Sequence, residues 1–224
     1  MMGQAKRNVQ LVFTPFLVMT FLTPLASQSA EHKESNRPWV APVRVMKNGQ
    51  QSGSGIYLRS GLVITAAHLT DPNSQMSVHL AGADLRATIL KQGSFEDVDL
   101  SLLKIDENNA RVGALPQMPL CKAPPWPGDA VIVVDAERAT LSHIASPQLL
   151  PFAMRTTFST LISDVASTGN SGSGVFDPNH KCLLGIMSRK FTIHTAKGDK
   201  DVAKYFVPAA VIRSFITAEL LDSP

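Results

Sequence analysis

From residue 39 onward the chain is a succession of short β-branched runs broken by Gly, Asn, Asp or Ser, and few folds are open to a chain written that way. "WVAPVRVM", "GSGIYLRS", "GLVITAAH", "MSVHLAG", "DLRATILK" and "DLSLLKI" come in quick succession. After the Pro-rich "LPQMPLCKAPPWPG" a second group follows: "DAVIVVDA", "MRTTFSTLIS", "SGVFD", "CLLGIMSRKF" and "AKYFVP". Many short strands with turns at this spacing predict an all-β barrel or sandwich. The cluster from Pro116 to Pro127 is the natural seam between two halves. Only "PAAVIRSFITAELL" carries apolar residues at helical spacing (Val211, Ile212, Phe215, Ile216, Leu220), which predicts a terminal helix packed on the barrel surface.

The N-terminus reads differently. "MMGQAKRNVQ" is a short positive region, "LVFTPFLVMTFLTPLA" is uncharged and apolar, and Ala26, Ser27, Ser29 and Ala30 are small. This is the pattern of an export signal over residues 1–30, cleaved near 26–30, with the short polar segment 31–38 opening the mature chain. No charge occurs from Asn8 to Ala30, so an uncleaved membrane anchor is the alternative. Of the 21 basic residues, Lys6 and Arg7 lie in the signal, leaving 19 against 18 acidic. Such a balance offers no basic face for nucleic acid. Export, to a bacterial periplasm or outside the cell, would place Cys121 and Cys182 where disulfides persist; they pair or remain two buried thiols. With no C-x-x-C, two cysteines this far apart in the chain make no metal site, and no cofactor is expected.

Three places carry candidate chemistry. His68 follows the apolar strand "GLVITAA" and sits at the rim of a core, either as a structural histidine or as a base. Asp99 opens the strand "DLSLLKI"; a carboxylate there needs a donor if it is partly buried. "STGNSGSGVF" sets Ser171 and Ser173 among three glycines, and a serine becomes a nucleophile only with a base and a group that orients the base.

"TAAH", "DLSLLK" and "GNSGSG" stand in that order, each beside apolar strand residues, and in this the chain resembles the chymotrypsin-like (trypsin-fold) serine proteases. The resemblance covers about residues 39–221. It implies two six-stranded antiparallel β-barrels, about 39–115 and 121–207, then a C-terminal α-helix over about 209–221, the whole protease domain spanning 39–224. It also implies a triad in which Ser171 attacks a carbonyl, His68 takes and returns the proton, and Asp99 fixes the imidazole tautomer. The N–H groups of Gly169 and Ser171 would form the oxyanion hole, and Ser173 would fall after the catalytic turn.

Asn170 stands where trypsin-like zymogens carry an Asp that pairs with a freshly cut N-terminal amine, so no such activation is expected. In this the chain is similar to the compact bacterial branches, the HtrA-like proteases and the glutamyl endopeptidases. With 53 residues after Ser171, no PDZ domain is expected. By resemblance, Val165, Ala166 and Ser188 should line the primary pocket, with Asp164 just outside it. Arg189, Lys190 and His194 are either cations that favour acidic side chains or solvated loop charges, and Trp39 and Trp126 are packing residues. The expected function is that of an exported, monomeric serine endopeptidase acting on proteins or peptides. The alternative is a catalytically silent protease-fold binding or adhesion protein.

Overall fold

The computed structural model describes residues 39–106, 110–164, 169–195 and 198–216. The putting together of its strands follows the hydrophobic period. In β1 (Pro42–Lys47) Val43 and Val45 are buried, in β4 (Met76–Leu80) Met76, Val78 and Leu80 are, and the residues between them are half-buried. Successive strand side chains face opposite ways, so a strand with one apolar face closes one core. β3 (Leu62–Thr65) is buried throughout, and β6 (Ser101–Ile105) is buried on both faces except at Lys104. With β2 (Gln50–Arg59) and β5 (Ala83–Gln92) these strands form a closed barrel in the order β1-β2-β3-β6-β5-β4.

Three hairpins of this barrel turn through a residue pair with positive φ: Asn48–Gly49 (51°, 79°), Ser60–Gly61 (45°, 65°) and Ala81–Gly82 (51°, 77°). Tight two-residue turns of this hand match the twist of the strands they join, and glycine at the second position adopts it freely.

The second barrel closes as β10-β11-β12-β9-β8-β7. Its strands are β7 (Ala130–Val134), β8 (Ala139–Ala145), β9 (Leu161–Ile162), β10 (Gly174–Asp177), β11 (Cys182–Thr195) and β12 (Gly198–Pro208). The stretch "MRTTFSTLIS" yields only the two residues of β9; the rest is a short 3-10 turn (Phe152–Met154) and loop in which Thr156, Thr157 and Ser159 are exposed. β8, by contrast, has no clear apolar alternation, because Leu141 is 63% exposed while Ser142 is buried.

Alternate faces build the three largest apolar clusters among the described residues. Val43, Tyr57, Val63, Val78 and Leu103 fill barrel one, and Val131, Val133, Ile144, Val175 and Phe206 fill barrel two. Ile56, Ile64, Leu100 and Leu102 point out of the first barrel onto Ile132, Phe176, Leu183 and Ile186 of the second. Helix α2 (Ala209–Phe215), preceded by a single helical turn α1 (Ala110–Gly113) much earlier in the chain, adds Ile212 and Phe215 to that interface. Each such side chain contributes about 1.5–3 kcal/mol on burial. Lys91 Nζ donates to the Phe215 carbonyl at 2.8 Å, a favourable cation at the last turn of α2. The predicted residues 217–221 of the helix lie outside the described residues, as do the signal and residues 31–38.

The Pro-rich seam is stitched to both barrels: the Met118 N–H donates to Leu58 O at 2.7 Å, and the Cys121 N–H to Leu183 O at 3.0 Å. Cys121 and Cys182 form a buried disulfide. Trp39 packs edge-on against Phe176, whereas Trp126, expected to pack, is 75% exposed in the Pro-rich segment. Among the described residues no helix is long and apolar enough to cross a membrane.

Candidate active site

The end of β3 places His68. The Thr65 hydroxyl donates to Ser54 O at 2.6 Å, and the chain then enters a 3-10 turn, Ala67–Leu69. That turn is clamped to the start of β6: Thr70 Oγ1 lies 2.7 Å from Ser101 Oγ, and the Gln92 side-chain amide donates to Thr70 Oγ1 at 2.8 Å and to Thr70 O at 3.1 Å. Asp99, two residues before β6, is thereby brought under the histidine ring.

The Asp99 carboxylate is 1% exposed and meets three donors. His68 Nδ1 stands 2.8 Å from Oδ2, the His68 backbone N–H donates to Oδ1 at 3.1 Å, and the Ser188 hydroxyl donates to Oδ2 at 2.6 Å. Burial alone would raise its pKa; hydrogen bonds from the His68 ring, the Ser188 hydroxyl and the His68 N–H outweigh burial and hold it below the ordinary value. Ser188 comes from β11, so the second barrel completes the shell of a carboxylate carried by the first.

The turn bearing Ser171 is seated on the first barrel as well. Ser171 O accepts from the Ser54 N–H at 3.0 Å, and the Gly172 N–H donates to Met187 O at 2.8 Å. Gly172 has φ +82°, and a Cβ there would lie 1.8 Å from Ser54 O, so only glycine allows this approach. Gly53, on β2, is needed for a similar reason: its Cβ would lie 2.5 Å from a Leu69 methyl and 3.0 Å from Ser171 O. Ser171 is half-buried, whereas Ser173 is fully buried, its hydroxyl donating to Asn170 O at 2.5 Å.

Phe95, Phe158 and Lys204 are neighbours of the site that gave no signal in the sequence. The Phe95 ring stands edge-on to His68, centroids 5.5 Å apart. Arg189 lies 4.1 Å over Phe95 and 5.1 Å from the Phe158 ring, and donates to Phe95 O. Lys204, from β12, donates to Gly169 O at 2.8 Å. Of the residues expected around the pocket, Ser188 lies behind Asp99 (above), Lys190 holds Asp201 at 2.9 Å, and His194 holds Asp199 at 2.6 Å on the exposed end of the β11–β12 hairpin. Val165 and Ala166 lie outside the described residues.

Residues 53–186 match the family model of the trypsin-like peptidase domain. Among curated proteins none matches the chain significantly. In fold it is similar to the serine endoprotease from Yersinia pestis (TM-score 0.59, 20% identity), covering 83% of this chain but only 64% of that one. It is similar also to the active form of the Rv3671c protease from M. tuberculosis (TM-score 0.57, 16% identity, 80% of this chain and 79% of that). For kallikrein-related peptidase 10 the TM-score is 0.61 at 16% identity, over 85% of this chain and 98% of that. Identities this low speak to the fold alone; the family match extends over more than half of the sequence. The chain belongs to the trypsin-like peptidase domain family, a family of serine endopeptidases.

Proposed function

We propose that this chain hydrolyses peptide bonds through an acyl-enzyme on Ser171, with His68 as general base and acid and Asp99 as the group that orients it. The observation that carries the reading is the buried Asp99 carboxylate on His68 Nδ1 at 2.8 Å. With its Nδ1 hydrogen given to Asp99, the imidazole keeps its lone pair on Nε2, where it can take the Ser171 proton. The hydroxyl oxygen bonds to the substrate carbonyl carbon, and the negative charge that forms on the carbonyl oxygen goes to the N–H groups of Gly169 and Ser171. Collapse breaks the C–N bond, and His68 returns its proton to the leaving amine. A water, deprotonated by His68, then attacks the acyl ester, releasing the acid and regenerating Ser171.

We read residues 1–30 as an export signal and the mature protein as exported and monomeric. The buried Cys121–Cys182 bridge supports export, since such bonds persist in oxidising compartments. The substrates are proteins or peptides, with Val165, Ala166 and Ser188 at the primary pocket. A preference for acidic side chains through Lys190 and His194 would require a substrate carboxylate to compete with Asp201 and Asp199.

A fluorophosphonate probe tests the mechanism: it should label the folded mature protein at neutral pH, and should still label Ser173→Ala at Ser171, but should label neither Ser171→Ala nor His68→Ala. A folded wild type that takes no label, or a labelled Ser171→Ala, overturns it, and the former favours a silent binding protein. Cleavage-site profiling in a mixed peptide library reads the pocket; a small-aliphatic preference removes the roles of Lys190 and His194.

A further inference from the structure

Each carbonyl of residues 169–171 is held by a donor. Gly169 O accepts from Lys204 Nζ at 2.8 Å, Asn170 O from the Ser173 hydroxyl at 2.5 Å and the Ser173 N–H at 3.1 Å, and Ser171 O from the Ser54 N–H at 3.0 Å. In a trans peptide the carbonyl and the next residue's N–H point in opposite directions, so holding the one aims the other. The Ser173 bonds thus set the Ser171 N–H, and the Lys204 bond sets the plane of the Gly169–Asn170 peptide that joins the two N–H groups assigned to the oxyanion. Among these three holders Lys204 is the charged one, and it reaches across from another strand.

Gly169 is where such a hold matters. Its Cα is hemmed in, since a Cβ would lie 2.5 Å from Ser173 Oγ and 3.2 Å from Asp135 Oδ2. The residue therefore cannot shift, but lacking a side chain it can still pivot about its backbone bonds. Asn170 is exposed and uncharged, so it brings no carboxylate by which an ion pair could tether the turn.

We propose that Lys204 is the positioning residue of the oxyanion turn: its ammonium, carried on β12, fixes the Gly169–Asn170 peptide and with it the spacing of the Gly169 and Ser171 N–H groups. This rests on the triad reading above. The surroundings oppose the charge that does it. Burial pushes the Lys204 ammonium pKa down, and Arg138 before β8 and Lys190 on β11 push the same way, against Asp201 on β12 and Asp135 at the end of β7. A cation kept where its charge is disfavoured is more often found at functional sites than in plain scaffolding.

The test compares wild type, Lys204→Met and Lys204→Arg in kcat and KM on a peptide ester, in affinity for a peptide boronic acid, whose tetrahedral adduct reads the oxyanion hole, and in melting temperature. Loss of a whole oxyanion donor lowers rate about 10²–10³-fold; misplacing one should lower kcat and boronate affinity about 10–10²-fold in Lys204→Met. KM should stay within about threefold, melting temperature should be unchanged or higher, and Lys204→Arg should restore most of kcat. A neutral amine is a weaker donor than an ammonium, so wild-type kcat should also decline at alkaline pH, with a limb that Lys204→Arg lacks. Wild-type kcat and boronate affinity in Lys204→Met overturn the proposal, as does a loss that follows melting temperature and is not restored by Arg. If Lys204→Met does not fold, the alkaline limb decides, and the same limb in wild type and Lys204→Arg overturns it. A wild type that neither cleaves nor takes the phosphonate label brings down the triad reading instead.

Discussion

Asp99→Asn replaces an oxygen by an amide nitrogen at the buried end of the site and isolates the work of the carboxylate. Asparagine offers one acceptor end and one donor end. The His68 backbone N–H, 3.1 Å from Oδ1, cannot turn away, so the amide oxygen must take that position and the NH2 group the other. There it faces Ser188 Oγ at 2.6 Å, a hydroxyl free to rotate and accept, and His68 Nδ1 at 2.8 Å, which accepts only by giving up its hydrogen. The ring is driven to the tautomer with hydrogen on Nε2, which has no lone pair left for the Ser171 proton. Loss of the correct tautomer lowers kcat about 10⁴-fold, equivalent to about 5.4 kcal/mol at about 1.36 kcal/mol per tenfold. The fold should lose less. Charge-assisted hydrogen bonds become neutral ones, at about 1 kcal/mol each, and relief of a buried charge offsets part of that. Steady-state kinetics on a peptide ester, beside denaturant melts, should give a folded variant with KM near wild type and kcat down by about four decades. A folded Asp99→Asn with kcat within tenfold of wild type refutes the reasoning, for the ring would then keep its Nδ1 hydrogen on the retained oxygen, which stands 3.1 Å from Nδ1 against 2.8 Å for the replaced one.

Acid should unfold the protein partly through the same group. The folded Asp99 pKa lies below the ordinary 3.8, so its stabilisation is complete above the unfolded value and is lost as pH falls through the folded one. Circular-dichroism melts should show a loss of stability below about pH 4 that is weaker in Asp99→Asn. Gly172→Ala should lower stability by more than about 2 kcal/mol, since its Cβ would lie 1.8 Å from Ser54 O at φ +82°. Because that clash pushes the Ser171 turn off the first barrel, phosphonate labelling should fall with it; a variant with wild-type melting and labelling contradicts the close approach. Replacing both Cys121 and Cys182 by Ala opens a loop of 61 residues, worth about 4 kcal/mol by chain entropy. The double variant should melt about 10 °C lower, and an unchanged melting temperature would show that the seam is held without the bridge.

The apolar runs were legible because alternation and turn chemistry are local. β3, β6 and β7 stand out as apolar runs bounded by turns, and the sequence alone points to two groups of strands with a Pro-rich seam between them. β8 escaped notice since its outward Leu141 and inward Ser142 invert the usual pattern. The threonines of "MRTTFSTLIS" look like a strand by β-branching, yet nothing there pairs beyond Leu161–Ile162. Lys190 and His194 read as available cations because their partners, Asp201 and Asp199, lie across a hairpin whose register the sequence does not print.

What the sequence determined by itself was the inventory: which segments can be strands, which turns demand glycine, and that His68, Asp99 and Ser171 are chemistry-bearing residues set beside apolar strands. Only the tertiary structure decided which polar groups meet. Asp99 takes its third donor from Ser188, 89 residues away, and Gly169 is held by Lys204, 35 residues on. Contacts at such separations depend on how two barrels close and dock. A strand lysine carries no local mark of the carbonyl that awaits it.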